Sequence, residues 1–157
     1  MRPTPDRVRE TLFNWLGQDL TGRRCLDLFA GSGALGIEAA SRGAAEVVMV
    51  EKNRAVFRAL QDNIKKLNLH NIALRNEDGL NFASRVNEQF DVIFLDPPFK
   101  SDYLEKLLPQ LAKQLMRKGL LYVESGTEFE ADENWQVYKQ GRAGAVHYQL
   151  LQSEQHD

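Results

Sequence analysis

The sequence predicts an α/β protein whose mostly parallel sheet carries helices on both faces. Short apolar runs alternate with amphipathic stretches along most of the chain, and this alternation is typical of successive βαβ units. The runs RCLDLFA, AEVVMVE and FDVIFLD are apolar enough to be buried on both faces, as strands of a parallel sheet are. Near the C-terminus, two segments of alternating residues flank GRAG. They indicate a closing hairpin that adds at least one antiparallel strand at an edge of the sheet.

The first expected element is a helix over DRVRETLFNWL, which has apolar residues at helical spacing and Asp6 as the expected N-cap. Pro109 predicts a kink, or the start of a second segment, in the last helix. The other elements expected before the hairpin are, in chain order, the strand RCLDLFA, the helix GALGIEAASRG ended by Gly43, the strand AEVVMVE, the helix NRAVFRALQDNIKKLNL, the weaker strand NIALRN, the strand FDVIFLD, the helix DYLEKLLPQLAKQLM ended by Gly119 and the strand LLYVES.

Length and composition describe an ordinary globular chain. The 157 residues fit one domain, 1–157, with a single core. No apolar run approaches the roughly 20 residues that span a bilayer. Cys25 is the only cysteine, which excludes an intrachain disulfide and fits a reducing compartment such as the cytoplasm. The three histidines show no metal-ligand spacing, so we expect no metal. The net charge of −2 is not that of a strongly basic nucleic-acid-binding domain.

Ligands of a parallel α/β sheet bind outside the carboxyl ends of its strands, and the first two strand ends predict a nucleoside-type cofactor. Gly31, Gly33 and Gly36 fit the pattern G-x-G-x-x-G between a strand and a helix. Glycines there permit a tight turn and a close approach of the backbone to a ligand. Glu51 ends the next strand, 20 residues after Gly31, and can accept hydrogen bonds from both hydroxyls of a ribose.

Two further acids help to distinguish NAD from S-adenosylmethionine, which both present an adenosine. An NAD-binding loop holds a pyrophosphate at a helix N-terminus, and Asp27, just ahead of the glycines, would repel it. S-adenosylmethionine has a cationic sulfur and no phosphate. Asp78 could accept a hydrogen bond from the adenine amino group, or could simply cap the helix GLNFASRV. Together these acids favour S-adenosylmethionine.

The fourth strand ends on Asp96, which is followed by Pro97, Pro98 and Phe99. This strand is expected beside the first, so that Asp96 points into the cofactor crevice. Prolines have no backbone N–H, so the Asp96 carboxylate and the Pro97 carbonyl form a cluster of acceptors without donors. Such a cluster suits the two hydrogens of an exocyclic amine on a nucleobase, and Phe99 offers a face for stacking. The alternative is a simple strand end with Phe99 in the core.

With these motifs the chain resembles the S-adenosylmethionine-dependent amino-methyltransferases that carry [D/N]-P-P-[Y/F/W]. More narrowly, it is similar to the bacterial family that methylates the guanine N2 amine of 16S ribosomal RNA. The resemblance implies a Rossmann-like class I methyltransferase fold, with a seven-stranded sheet and an antiparallel C-terminal hairpin strand. The matching segments are, in order, RPTPDRVRETLFNWL, CLDLFAGSGALGIEAASRGA, VVMVEKN, FDVIFLDPPF, LLYVES and the late hairpin, which together span nearly the whole chain.

The resemblance also implies roles for single residues. Asp96 and Pro97 would bind the target amine, and Phe99 would stack on the base. Thr4 would border the site. The residues that would contact the substrate elsewhere are Arg7, Pro98 and Lys100. Those that would bind S-adenosylmethionine are Asp27, Gly31, Ser32, Gly33, Glu51, Lys52, Asp78 and Gly79.

The implied partner is ribosomal RNA or the assembled small subunit, bound by a cytoplasmic monomer with no membrane contact. Members of the family usually begin with a further basic, glycine-containing segment before this point, whereas the given sequence starts Met1-Arg2-Pro3-Thr4. The resemblance therefore leads us to expect that this segment is absent or trimmed. Two other functions stay open. A DNA adenine-N6 methyltransferase is disfavoured because 157 residues leave no room for a separate target-recognition domain. An NAD-dependent oxidoreductase would need a proton-transfer residue, and no strand end supplies an obvious His or Tyr.

Overall fold

The computed structural model describes residues 4–97, 102–126, 131 and 133–153. The strands are β1 (Arg24–Asp27), β2 (Glu46–Val50), β3 (Ile72–Arg75), β4 (Phe90–Leu95), β5 (Leu115–Ser125), β6 (Trp135–Ala143) and β7 (Val146–Ser153). The helices are α1 (Asp6–Trp15), α2 (Ala34–Ser41), α3 (Arg54–Lys66), α4 (Gly79–Arg85) and α5 (Asp102–Gln114).

The seven strands form one sheet in the order β3-β2-β1-β4-β5-β7-β6. Strands β1 to β5 pair in parallel, while β7 is antiparallel to both β5 and β6. This confirms the predicted sheet with its C-terminal hairpin. From β1 the chain first builds β2 and β3 on one side and then crosses to β4 on the other. The strand order therefore reverses between β1 and β4, and their carboxyl ends form the crevice in which such sheets bind ligands.

Side chains of the central strands alternate between two packed layers. Cys25, Met49 and Phe94 pack in the layer that contains buried residues of α1, α2 and α3. Leu26 and Ile93 pack in the other layer, with residues of α4 and α5. Because side chains of a strand point to opposite faces in turn, both sets are buried only when helices cover both faces. The apolar runs in the sequence predicted this arrangement.

The start of α1 differs from the prediction. Asp6 is the first residue of the helix, and the N-cap position is Pro5, which offers no side-chain cap. The Asp6 carboxylate lies 3.1 Å from the Arg9 guanidinium one turn later. Asp6 therefore contributes its charge to the positive end of the helix and to a local ion pair rather than a capping hydrogen bond.

The junction between α5 and β5 also differs, because Gly119 does not end the helix. The helix continues through Pro109 to Gln114, and β5 begins at once with Leu115. Gly119 lies inside the strand, where the register against β4 shifts between Phe90 and Val92. A Cβ at this position would lie 2.8 Å from the Met116 carbonyl oxygen. The glycine is thus required by a close backbone approach in an irregular strand. The hairpin turn is likewise shorter than GRAG, since β6 extends to Ala143.

Phe13 anchors α1 to the sheet and gives a test of this packing. Its ring is fully buried, lies 6.0 Å from that of Phe94 and is covered by the Arg42 guanidinium at 5.0 Å. Phe13→Ala is expected to lower the free energy of unfolding by about 3–5 kcal/mol, because it leaves a cavity. Leu67→Ala, at a side chain 52% exposed, should cost less than about 1 kcal/mol. Urea denaturation measures both, and similar losses would contradict this packing.

Candidate active site

Glu51 joins the glycine-rich loop to the end of β2. One carboxylate oxygen accepts from the Gly31 N–H at 2.8 Å and the other accepts from the Asn53 N–H at 2.8 Å. The side chain is only 6% exposed. A carboxylate has about four acceptor positions, so two remain after these contacts. Glu51 therefore orders the loop and keeps acceptors at the carboxyl edge of the sheet.

The loop itself turns through two glycines with left-handed backbone. Gly31 has φ 56° and Gly33 has φ 84°, a region that L side chains rarely adopt. At Gly33 a Cβ would also lie 2.4 Å from Leu60 Cδ2, so the turn packs directly on α3. Ser32, between them, is exposed. The loop thus presents backbone and one hydroxyl to the crevice.

Asp27 is the last residue of β1 and contacts the first turn of α2. Its carboxylate accepts from the Gly36 N–H at 3.1 Å and is 4% exposed. Burial raises the pKa of Asp27 to about 7, although the Gly36 hydrogen bond opposes the shift and the Glu51 charge adds to it. The N-terminal turn of α2 therefore already faces a carboxylate, which occupies a donor that a phosphate would otherwise use.

The end of β3 is drawn towards the same edge by two contacts. The Asn76 side chain donates to the carbonyl oxygens of Glu51 at 2.9 Å and Lys52 at 3.1 Å. Gly79 packs so closely on the loop after β1 that a Cβ would lie 2.7 Å from the ring of Phe29. Asp78 accepts from the Leu80 N–H at 3.4 Å as the N-cap of α4. Asp78 therefore caps α4, which was one of its two predicted roles. Because it lies at the carboxyl edge of the sheet, it is also in a position to contact a cofactor.

Asp96 and Pro97 follow β4 directly and are half-buried. Since β4 pairs with β1, with Phe94 opposite Asp27, these two residues lie at the edge that carries the loop. Pro98, Phe99 and Lys100, which the sequence singled out, fall outside the described residues.

A buried polar contact beside Asp96 was not predicted from the sequence. The Thr4 hydroxyl donates to Glu124 Oε2 at 3.0 Å, and the Tyr122 hydroxyl donates to the same oxygen at 2.9 Å. Burial, with the negative charges of Glu124 and Asp96, raises the pKa of Tyr122. The three side chains fix the start of the chain next to the end of β5. Glu124 lies in the predicted strand LLYVES, but nothing in the sequence pairs it with Thr4.

The remaining candidates lie at the surface. Arg7 is exposed near the start of α1, three residues after Thr4, and Lys52 is exposed after β2. Within the described parts of the chain, no group of three or more His, Cys, Asp or Glu could hold a metal ion, and no helix has the length and apolarity needed to cross a membrane.

Comparison with known proteins identifies the family. The sequence model of the family described as Conserved hypothetical protein 95 matches residues 1–152. The chain belongs to this family. Its relatives include the ribosomal RNA small subunit methyltransferase D of Escherichia coli K12, which is 41% identical over 98% of this chain and 80% of the relative. The corresponding protein of Haemophilus influenzae is 39% identical over 98% of this chain and 83% of its own length.

Solved structures agree with this family assignment. A putative methyltransferase from Escherichia coli superposes with a TM-score of 0.89 at 42% identity, covering 98% of this chain and 88% of that one. An RNA methyltransferase from Salinibacter ruber, solved with S-adenosyl-L-homocysteine, has a TM-score of 0.76 at 20% identity, covering 95% of this chain and 92% of that one. The fold is therefore the Rossmann-like class I methyltransferase fold that the sequence motifs implied.

The raised pKa of Asp27 predicts a pH dependence of stability. Between about pH 4 and pH 7 the carboxyl is protonated in the folded protein and ionised in the unfolded chain, so stability falls as pH rises through this window. Asp27→Asn keeps an acceptor for Gly36 and removes the titration. Chemical denaturation of the ligand-free protein at several pH values should show a flatter profile for the variant. An unchanged profile would contradict the buried, raised carboxyl.

The contact of Thr4 with Glu124 predicts a second effect on stability. Thr4→Val keeps the branched shape but removes the hydroxyl, and hydrogen bonds to charged groups contribute about 1.5–3 kcal/mol. The matched control is Thr11→Val, whose exposed hydroxyl donates only to the Arg7 carbonyl. Denaturation should show a clear loss for Thr4→Val and little for the control. Equal losses of unfolding free energy in the two variants would contradict a stabilising role of the buried contact.

Proposed function

We propose that this protein transfers a methyl group from S-adenosylmethionine to the exocyclic N2 amine of a guanine in small-subunit ribosomal RNA. The observation that carries the proposal is the position of Asp96 and Pro97, which follow β4 at the edge of the sheet that carries the glycine-rich loop after β1. Membership of a methyltransferase family supports the reaction class. Relatives named ribosomal RNA small subunit methyltransferase D support ribosomal RNA as the substrate.

The residues around the crevice at the carboxyl edge of the sheet fit S-adenosylmethionine better than NAD. Glu51 retains acceptors for the hydroxyls of a ribose. Gly31 and Gly33 leave the backbone of the loop open to close approach, and Asp78 and Gly79 lie at the adjoining strand end, where an adenine would rest. Asp27 occupies a donor at the N-terminus of α2, at 3.1 Å, which disfavours a pyrophosphate and suits a ligand with a cationic group. When bound, S-adenosylmethionine supplies a methyl group on a positively charged sulfur.

Asp96 and Pro97 would bind and orient the amine that accepts the methyl group. A guanine amine is planar and weakly nucleophilic because its lone pair is delocalised into the ring. The Asp96 carboxylate and the Pro97 carbonyl would accept its two hydrogens and favour a tetrahedral nitrogen. Because positive charge grows on this nitrogen during transfer, acceptors fixed in advance stabilise the transition state more than the ground state. Prolines at 97 and 98 supply no competing N–H.

The base would have to leave its stack to reach Asp96. Phe99 is proposed as the surface on which the base stacks, and Pro98 and Lys100 as neighbouring substrate contacts. Arg7, exposed beside the Thr4 contact, is proposed as a contact to the RNA backbone. We further propose that the chain acts as a single domain and as a monomer on ribosomal RNA or the assembled small subunit.

The role of Asp96 is tested by Asp96→Ala. Loss of the charged acceptor should lower kcat for methyl transfer by about 100-fold or more, while the affinity for S-adenosylmethionine, measured by calorimetry, should change little. The matched control is Asp62→Ala, at an exposed residue of α3, which should keep full activity. Full activity of Asp96→Ala would refute the assigned role.

The substrate is tested by transfer of labelled methyl groups to small ribosomal subunits from cells that lack this protein. The expected product is N2-methylguanine in the RNA, identified by nucleoside analysis. Labelling of DNA adenine instead would exclude the proposed substrate. Tight binding of NAD without binding of S-adenosylmethionine would exclude the reaction itself.

A further inference from the structure

The hairpin of β6 and β7 differs in charge from the rest of the chain. From Trp135 to Ser153 it contains Lys139, Arg142 and His147 and no Asp or Glu, although the whole chain has 22 acidic and 20 basic residues. Among the described residues, no ion pair involves Lys139 or Arg142. An acid-free cationic segment in a chain of net charge −2 fits an anionic partner.

The same strand exposes an aromatic side chain. Tyr138 is 54% exposed and its neighbour Val137 is 44% exposed. Val137 pairs with Leu151 and Lys139 with Leu150, so Tyr138 is the extra residue of a register shift. Such bulges re-aim a side chain away from the regular pleat. The Lys139 ammonium lies 6.0 Å from the centre of the tyrosine ring, which places a cation beside an exposed aromatic face.

The tip of this hairpin lies at the edge of the sheet that carries Asp96. Arg142 is opposite His147 in β6 and β7, and His147 is opposite Ser125 at the carboxyl end of β5. Arg142 is exposed, and its Nε donates to the Gly144 carbonyl oxygen at 2.9 Å. Three strand spacings separate β4 from β6, which is about 14 Å. A chain that enters the site at Asp96 can therefore extend across the edge to Arg142.

We propose that the edge strand β6 binds the RNA strand that flanks the target nucleotide through Tyr138, Lys139 and Arg142. Lys139 pairs with Leu150 and Arg142 with His147, so the two cations lie on opposite faces of β6 and contact the RNA from both sides of this edge strand. Arg142 and Lys139 contact phosphates, and Tyr138 stacks on an unpaired base, the combination by which proteins hold single-stranded nucleic acid. The register shift at Tyr138 also twists the edge and opposes pairing with a second protein strand. The inference rests on the proposed function, in which the substrate is RNA.

Two variants separate the contributions of charge and stacking. Lys139→Gln combined with Arg142→Gln removes two cations, and Tyr138→Ala removes the aromatic face. The matched control is Lys65→Gln combined with Lys66→Gln, two exposed lysines in the last turn of α3. The probe is fluorescently labelled small-subunit ribosomal RNA, titrated with each intact protein at several salt concentrations.

The charge variant should bind the RNA more weakly and lower the slope of log affinity against log salt by about 1.4, because each phosphate contact on a single strand contributes about 0.7. Tyr138→Ala should weaken binding about 5-fold or more and leave the slope unchanged. In methylation assays both should raise KM for RNA with little effect on kcat or on affinity for S-adenosylmethionine. The control should match the wild type in every measurement.

Three outcomes would overturn the inference. The first is an RNA affinity and salt slope in the charge variant equal to those of the control. The second is an unchanged affinity in Tyr138→Ala. The third is a concentration-dependent dimer in sedimentation that Tyr138→Ala abolishes while RNA affinity stays the same. Failure of the proposed function is a separate result, since it would appear as an absence of RNA methylation by the wild type.

Discussion

The contact of Glu51 with two backbone N–H groups is the interaction on which the rest of the site depends. Through 2.8 Å hydrogen bonds to Gly31 and Asn53, one carboxylate holds the loop after β1 against the start of α3. A glycine-rich loop has high conformational entropy in the unfolded chain, so it needs such a fixed partner. Because the partner is charged and almost fully buried, its hydrogen bonds are stronger than those between neutral groups. The acceptor positions left on Glu51 are therefore held at the edge of the sheet.

Several acidic side chains lie buried at this edge. Their burial costs free energy unless each carboxylate accepts hydrogen bonds from nearby groups. Asp27 and Glu51 accept backbone N–H groups, and Glu124 accepts the hydroxyls of Thr4 and Tyr122. Desolvation still raises the pKa of Asp27, so part of the cost is not offset. Acids with pKa values perturbed by burial cluster at functional sites. Arg142 lies at the tip of the hairpin on the same edge of the sheet. In the proposed function, the acids would therefore face the cationic cofactor and the cations of β6 the anionic substrate.

Local sequence signals predicted the sheet well, whereas features that depend on contacts between distant residues could not be predicted. Two-sided apolar strands, glycines at sharp turns and acids at strand ends are all readable within a few residues. The contact between Thr4 and Glu124 joins residues 120 positions apart, and nothing in either segment specifies the other. Gly119 was misread for a related reason. Its need for a small residue comes from the Met116 carbonyl in an irregular strand, whereas a glycine after a helical pattern ordinarily indicates a helix end.

The end of β4 illustrates why the strand order matters more than the motif. Asp-Pro-Pro after an apolar strand is compatible with a plain turn, since proline simply ends pairing. Its interpretation changes because β4 lies on the other side of β1 from β2, so that Asp96 lies at the edge of the sheet that carries the loop ordered by Glu51. Acceptors without donors would be of little use beside a ligand rich in acceptors. In the proposed function they lie beside a positively charged methyl donor and would select a partner that brings hydrogens. An exocyclic amine is the nucleobase group that does so while retaining a nitrogen to be methylated.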